Sequence, residues 1–344
     1  MNPDQLKKSI LDFSLGHQGF LSSLWKLFGF TSHGDQGYSR VLLQVFGYIG
    51  HGKSSFINSC KYVMEEGEEF IEYANAGDDH QTMTLERKAY NLTKNITIVD
   101  NRGCITMGSF QRAEIYAQLG NFLPIGEKVE WMKDYTGMMT KVEDAALNPN
   151  YSDFIVPMLI YSAICRLHET ERQELQEFLK NCVKMTGVFP IVVITHKTSG
   201  DFMEAEKMFR LMGAENIISI ENYTKNDHIK TRGKTNDILM VIHSALEDVK
   251  YRLGEKERNP QKDMVQRRKF LLDYIHRVDL DGRRKEEKRK EEAKNMALVK
   301  LRMRDNEENA EMKKKQDKLS GKEEMKTENG NNSGGGFWSW LGWS

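Results

Sequence analysis

The stretch that most constrains this chain runs Val45-Phe46-Gly47-Tyr48-Ile49-Gly50-His51-Gly52-Lys53-Ser54-Ser55. It leaves an apolar, strand-like segment, RVLLQVFGY, and enters a helix-like one, KSSFINSCKYVM. Between the two, Gly47 to Ser54 keeps the spacing G-x-x-x-x-G-K-S. Glycines at those places let the backbone curl so that its N–H groups point into one concavity. The helix N-terminus beyond favours negative charge there. The N–H groups of Gly50, His51, Gly52 and Lys53 can surround a β-phosphate. Lys53 supplies a positive charge to the outer phosphates, Ser54 a hydroxyl for Mg²⁺, and Ser55 a group within reach of an α-phosphate. A chance match on a glycine turn would not need a strand before it and a helix after it.

The segments that follow alternate in the same way. ERKAYNLTKNITIVDN reads as two strands joined by a turn at Thr93-Lys94-Asn95, and DFIVPMLIYSA as a buried strand. ETERQELQEFLKNCVKM is a helix with Leu175, Phe178, Leu179 and Cys182 on one face. FPIVVITHK is a strand, DFMEAEKMFRLMG a helix, ENIISIENY a strand and TNDILMVIHSALEDVKYRL a long helix. Strand–helix alternation with right-handed crossovers predicts a doubly wound α/β domain around a mainly parallel sheet. The expected organisation is an amphipathic helical segment over 1–38, the α/β domain over 39–254, a charged helical arm over 255–328 and a flexible linker with an aromatic tail over 329–344.

A second element supports the loop. ITIVDNRG puts Asp100, Asn101, Arg102 and Gly103 at the end of an apolar strand. Asp100 is the candidate Mg²⁺ carboxylate, reached through water, and the Gly103 amide would face a γ-phosphate. Between loop and carboxylate, GDDHQTMTLERKAY holds two threonines able to close over metal and γ-phosphate. Thr84 is the first choice and Thr82 the alternative. For the base, Thr195-His196-Lys197 ends the strand FPIVVIT, with Asp201 four residues beyond Lys197. A carboxylate there reaches a guanine, or it caps the next helix. Asn222, at the end of SIENYT, would lie beside the base.

These elements, GKSSFINS, TMT, DNRG, THK…D and ENYT, resemble the TRAFAC class of GTPases over residues 40 to about 253. They look most like its immune and dynamin-related branches, with the interferon-induced protein 44-like group nearest. The resemblance implies GTP or GDP with Mg²⁺, a cytoplasmic setting, and either nucleotide-linked self-association as homodimers or homo-oligomers or membrane remodelling. Where Ras-like members carry a glutamine after D-x-x-G to orient water, this chain has Cys104. His51 is the candidate substitute, or a passive loop residue. Arg102 is a candidate charge-stabilising finger in a partner subunit, or a surface arginine. The expected function is a guanine-nucleotide switch or slow GTPase. A scaffold with a degenerate nucleotide site and an ATPase are the alternatives.

Lys+Arg and Asp+Glu are both 50, so no bulk charge draws the chain to nucleic acid. No apolar run reaches the ~18–20 residues of a membrane span. The four cysteines lack metal-ligand spacing and read as reduced thiols. Residues 283–326 are rich in Lys, Arg and Glu, with too few apolar residues for a sustained heptad. FLSSLWKLF and FWSWLGW, near the two ends, are aromatic segments that pack on the protein or touch a partner or membrane surface.

Overall fold

The computed structural model describes residues 1–15, 36–75, 86–129, 134–145, 148, 150–255 and 257–330. Thr82, Thr84, the FLSSLWKLF segment and the FWSWLGW tail lie outside the described residues. The chain divides into two compact units, Met1–Asp279 and Leu280–Ser344.

The first unit is built on β1 (Arg40–Gly47), β2 (Lys88–Asn91), β3 (Ile96–Asp100), β4 (Asp153–Ser162), β5 (Ile191–Thr195) and β6 (Asn216–Ser219). They form one sheet in the order β2-β3-β1-β4-β5-β6. All pairs are parallel except β2 with β3, a hairpin joined by the expected turn. Parallel strands need both faces covered, and here they are. Val41, Leu43 and Val45 of β1, with Phe154, Val156 and Met158 of β4, pack against α1 (Pro3–Leu11), α2 (Lys53–Met64) and α7 (Arg232–Glu255). On the other face Phe46, Ile155, Leu159 and Tyr161 meet α3 (Ser109–Leu119), α4 (Tyr135–Asp144), α5 (Glu169–Thr186) and α6 (Phe202–Leu211). This is the doubly wound α/β architecture expected. Successive connections leave β1 on opposite sides, so its C-terminal end is a topological switch point, where such sheets hold ligands.

Three helices were not placed residue by residue, one of them, α1, inside the helical segment expected over 1–38. α1 carries a readable signal: Asn2 Oδ1 accepts from the Gln5 N–H at 2.8 Å, and Gln5 Oε1 accepts from the Asn2 N–H at 3.0 Å. That capping box, with Pro3 at the first turn, starts a helix whose Leu6 and Ile10 are fully buried. The others are α3 and α4, in the stretch between Gly103 and Asp153.

α8 (Pro260–Gly330) begins as an amphipathic helix. Met264, Leu271, Tyr274 and Ile275 are buried in the α3–α6 apolar layer. Arg112 of α3 donates to the Tyr274 hydroxyl at 3.1 Å, and that hydroxyl donates to Ser109 O at 3.1 Å. From Asp281 to Lys318 the same helix has only exposed residues.

Candidate nucleotide site

β1 ends where a side chain cannot fit. A Cβ on Gly47 would stand 2.3 Å from Ile160 O of β4, and Gly47 has φ +147°. The chain then turns through Gly50 (φ +78°) and Gly52 (φ +84°), both in the left-handed region that glycine adopts at least cost. Gly52 is the N-cap of α2. The loop opens at the C-terminal edge of the sheet, on the helix N-terminus, as its spacing predicts.

The segment Asp100–Cys104 lies directly against this loop. Tyr48 and Cys104 form a parallel bridge, with the Ile49 N–H on Cys104 O at 3.0 Å. Ser54 Oγ donates to Asp100 Oδ2 at 3.4 Å. Lys53 is only 7% exposed and donates from Nζ to Tyr48 O at 2.8 Å. Burial lowers its pKa, and the Asp100 carboxylate acts in the opposite sense to hold the charge. Gly103 adjoins the Lys53 ammonium. So Lys53, Ser54, Asp100 and Gly103, far apart in sequence, meet at one point. Ser55 is half-buried on the first turn of α2. A hydroxyl and a carboxylate this close are hard oxygen donors of the kind Mg²⁺ takes beside phosphate, and the pair fits that ion.

A parallel sheet whose first strand feeds a glycine loop on a helix N-terminus, with Asp100 ending the neighbouring strand beside Ser54, settles the fold class. It is a P-loop nucleotide-binding fold.

No family model matches the chain, and no curated protein matches it. Among solved structures, Toc33 from Arabidopsis thaliana in complex with GDP and Mg²⁺ aligns with TM-score 0.38 and 10% identity, covering 66% of this chain and 90% of that one. Toc33 with Mg²⁺ and GMPPNP gives TM-score 0.34 and 12% identity over 71% and 94%. Translation elongation factor SelB from Methanococcus maripaludis, with the GTP analogue GPPNHP, gives 0.26 and 14% over 54% of this chain and 30% of that one. None of the three belongs to the interferon-induced protein 44-like group, so that finer resemblance gains no support. These likenesses are distant, and the fold class rests on strand order and loop geometry.

Two candidate catalytic side chains are turned into the protein. His51 is 8% exposed, and its Nδ1 accepts from the Ser162 N–H at 3.1 Å. Its ring sits between Tyr48 and Tyr161, with centroids at 5.1 and 5.2 Å. Burial, then Lys53 and His196, push its pKa down to about 3, so it is neutral. It braces the loop against β4. Arg102 is 7% exposed and donates to Val129 O at 2.5 Å. That corrects the surface-arginine reading, since the guanidinium is folded inward. Cys104 is buried, and its thiol pKa is pushed up to about 12 by that burial.

The residues assigned to the base fall into two layers. Thr195 Oγ1 donates to His51 O at 3.0 Å, and Asn222 Nδ2 donates to Gly52 O at 3.3 Å. Both therefore hold the loop's main chain from the β5–β6 side. Asp201 is the N-cap of α6, accepting from the Glu204 N–H at 3.1 Å. Lys197 pairs with Asp237 of α7 at 2.7 Å. His196 takes positive φ (+58°) and places Nδ1 3.0 Å from Ser162 Oγ.

Sequence reasoning passed over Glu221. Its Oε2 accepts from both the Thr198 N–H at 2.8 Å and the Thr198 Oγ1 at 2.6 Å, tying the β6 end to the loop after β5. It also passed over Arg87, fully buried, which donates from Nε to Asn101 Oδ1 at 2.9 Å and from Nη1 to Leu123 O. Asn101 in turn donates to Gln44 Oε1 at 2.8 Å. Arg87 is thus a clamp behind Asp100. No sequence signal marked it, since β2 beside it carries the mostly exposed pattern of a sheet edge.

Proposed function

We propose that this protein binds a guanine nucleotide with Mg²⁺ and acts as a switch with slow intrinsic hydrolysis. The observation that carries the reading is the meeting of Lys53, Ser54, Asp100 and Gly103 at a left-handed glycine loop on a helix N-terminus. Lys53 and the loop N–H groups bind the β- and γ-phosphates. Ser54 and Asp100 hold Mg²⁺, Asp100 through water. Mg²⁺, when bound, neutralises charge on the outer phosphates. Gly103, against the Lys53 ammonium, offers its amide to a γ-phosphate, so the segment from Arg102 to α3 senses whether that phosphate is present.

Slow hydrolysis fits the inward positions of His51 and Arg102 and the buried thiol at Cys104. Thr84, or Thr82, closes over the metal, and Asn58 clamps the backbone of Ala74 just before that segment, at 2.8 Å on both N–H and C=O. A second subunit, paired across the nucleotide face, supplies the missing catalytic group. Guanine is favoured over adenine by Glu221. It is the carboxylate at the β5–β6 mouth that is neither a helix cap, as Asp201 is, nor in an ion pair, as Asp237 is. A carboxylate accepts the N1 and N2 hydrogens of guanine, and adenine has no matching pair of donors.

The test is equilibrium binding of fluorescent GDP, GTP-analogue and ATP-analogue probes with Mg²⁺, to wild type and to Lys53→Ala. Guanine binding at least tenfold tighter than adenine, lost in Lys53→Ala, is the expected result. Binding of neither nucleotide, or equal binding of both, overturns the proposal.

A further inference from the structure

The second unit has a charge order that the nucleotide site does not explain. Residues 283–290 hold six basic and two acidic side chains, and residues 305–311 hold four acidic and none basic. Between them lies the one apolar run of the arm, with Met296, Leu298, Val299, Leu301 and Met303 exposed by 47–65%. A lone charged helix has no use for five exposed apolar side chains. Its own ion pairs do not account for the blocks either. Glu286–Lys290 at 2.7 Å and Lys288–Glu292 at 4.0 Å are solvent-exposed i,i+4 pairs, which water screens to a marginal contribution.

The blocks make sense when the helix meets itself running the other way. With a two-fold axis between Ala297 and Leu298, residues 283–290 face 305–312, basic against acidic. Glu291 and Glu292 fall beside Arg302 and Arg304. Asp281 falls beside Lys313 to Lys315. The apolar run lies on the axis and covers its own copy. Met296, Val299 and Met303 follow heptad spacing there. A parallel, in-register pair does the opposite, setting the basic block on the basic block and the acidic block on the acidic block. Like charges so juxtaposed repel and disfavour that arrangement.

We infer that residues 281–318 are an antiparallel pairing surface for a second copy of this chain, centred on Ala297 and Leu298. The pair is isologous, as closed two-fold dimers are. It is independent of nucleotide, and so distinct from any pairing across the nucleotide face.

The experiment uses the full-length protein without nucleotide, with Cys165, the exposed cysteine among the described residues, replaced by serine. Nitroxide labels are placed at Ala297→Cys or at Lys285→Cys, and label–label distances are measured by pulsed EPR alongside light scattering. The 297 label should give a short distance, about 10 Å plus linker. The 285 label should give about 40 Å, from a 25-residue axial offset at 1.5 Å per residue. Glu307→Lys/Glu308→Lys/Glu311→Lys should lose the pair. Adding Arg284→Glu/Lys285→Glu/Lys288→Glu/Arg289→Glu should restore it. Lys53→Ala should pair like wild type, which separates this surface from the nucleotide reading. Short distances at both labels, meaning a parallel pair, overturn the proposal. So does a monomer at the highest soluble concentration, whether inert or binding anionic vesicles or an RNA oligomer instead.

Discussion

A methyl group on Gly103 would lie 2.6 Å from the Lys53 ammonium. Beside the backbone bridge at Tyr48 and Cys104, the segment after Asp100 and the phosphate loop also meet where a flexible cation packs on a missing side chain. Gly103→Ala obliges the far end of Lys53 to move and Ile49 Cγ1, 3.3 Å away, to give slightly, both side-chain adjustments, so the fold should tolerate it at a cost of about 1 kcal/mol or less. Lys53 would then sit off its phosphate position. The expected result is at least a tenfold loss in GTP-analogue affinity with only a small change in apo melting temperature, read by titration and thermal unfolding of the same sample.

Lys53 should also behave unusually without ligand. Its ammonium is nearly buried, and burial alone disfavours the charge. Replacing a buried charge with an apolar group of similar size is often neutral or stabilising. Lys53→Met should therefore melt at or above the wild-type temperature in the apo state. It should also lose the upward shift that saturating GDP gives wild type, a linkage effect of about 2.7 kcal/mol at a hundredfold excess over Kd. Calorimetry with and without GDP checks both halves.

His51 ties acid stability to the loop. Its folded pKa is held at about 3, below the 6.5 of an exposed imidazole, first by burial and then by Lys53 and His196. The unfolded chain then binds the extra proton between those values. Stability is full above about pH 6.5 and falls as pH drops toward 3, by up to about 1.4 kcal/mol per unit from this group. His51→Gln keeps an acceptor for the Ser162 N–H and does not titrate. Urea midpoints from pH 7 to pH 4.5 should fall more steeply for wild type than for this variant. Equal slopes would mean that the imidazole is not buried as described.

Much of this fold was legible because periodicity and glycine spacing are local signals. β1, α2, the β2–β3 hairpin and the later strands follow from apolar runs and their punctuation. Asp100 was legible because its strand is apolar and ends in a turn. What escaped depended on contacts between distant parts. Asp201 reads equally as a base ligand or a cap until its carboxylate is seen on the Glu204 N–H. Thr195 and Asn222 have the right residue types for a nucleotide, yet their hydrogen bonds go to the loop's own carbonyls. α3 buries Arg112, Glu114 and Gln118, so its polar residues hide the apolar stripe by which a helix is recognised. Charged residues buried with partners from elsewhere are invisible to any pattern of single positions.

Arg87 is the sharpest instance, and its removal is the most costly change expected. The side chain is fully buried, with Asn101, Gln44, Asn121 and Leu123 as hydrogen-bond acceptors. None of these is a carboxylate, so desolvation brings its pKa down to about 10, still charged at neutral pH. Arg87→Ala would open a cavity and strand several buried acceptors at once, at about 3–5 kcal/mol. Arg87→Lys has one ammonium where the guanidinium reaches residues on separate elements, and should recover only part of that loss. Because Asn101 adjoins Asp100, both variants should also weaken the Mg²⁺ dependence of nucleotide binding. Denaturant unfolding together with a Mg²⁺ titration of GTP-analogue affinity tests this. A stable Arg87→Ala protein with unchanged Mg²⁺ dependence would show that the clamp behind Asp100 holds nothing.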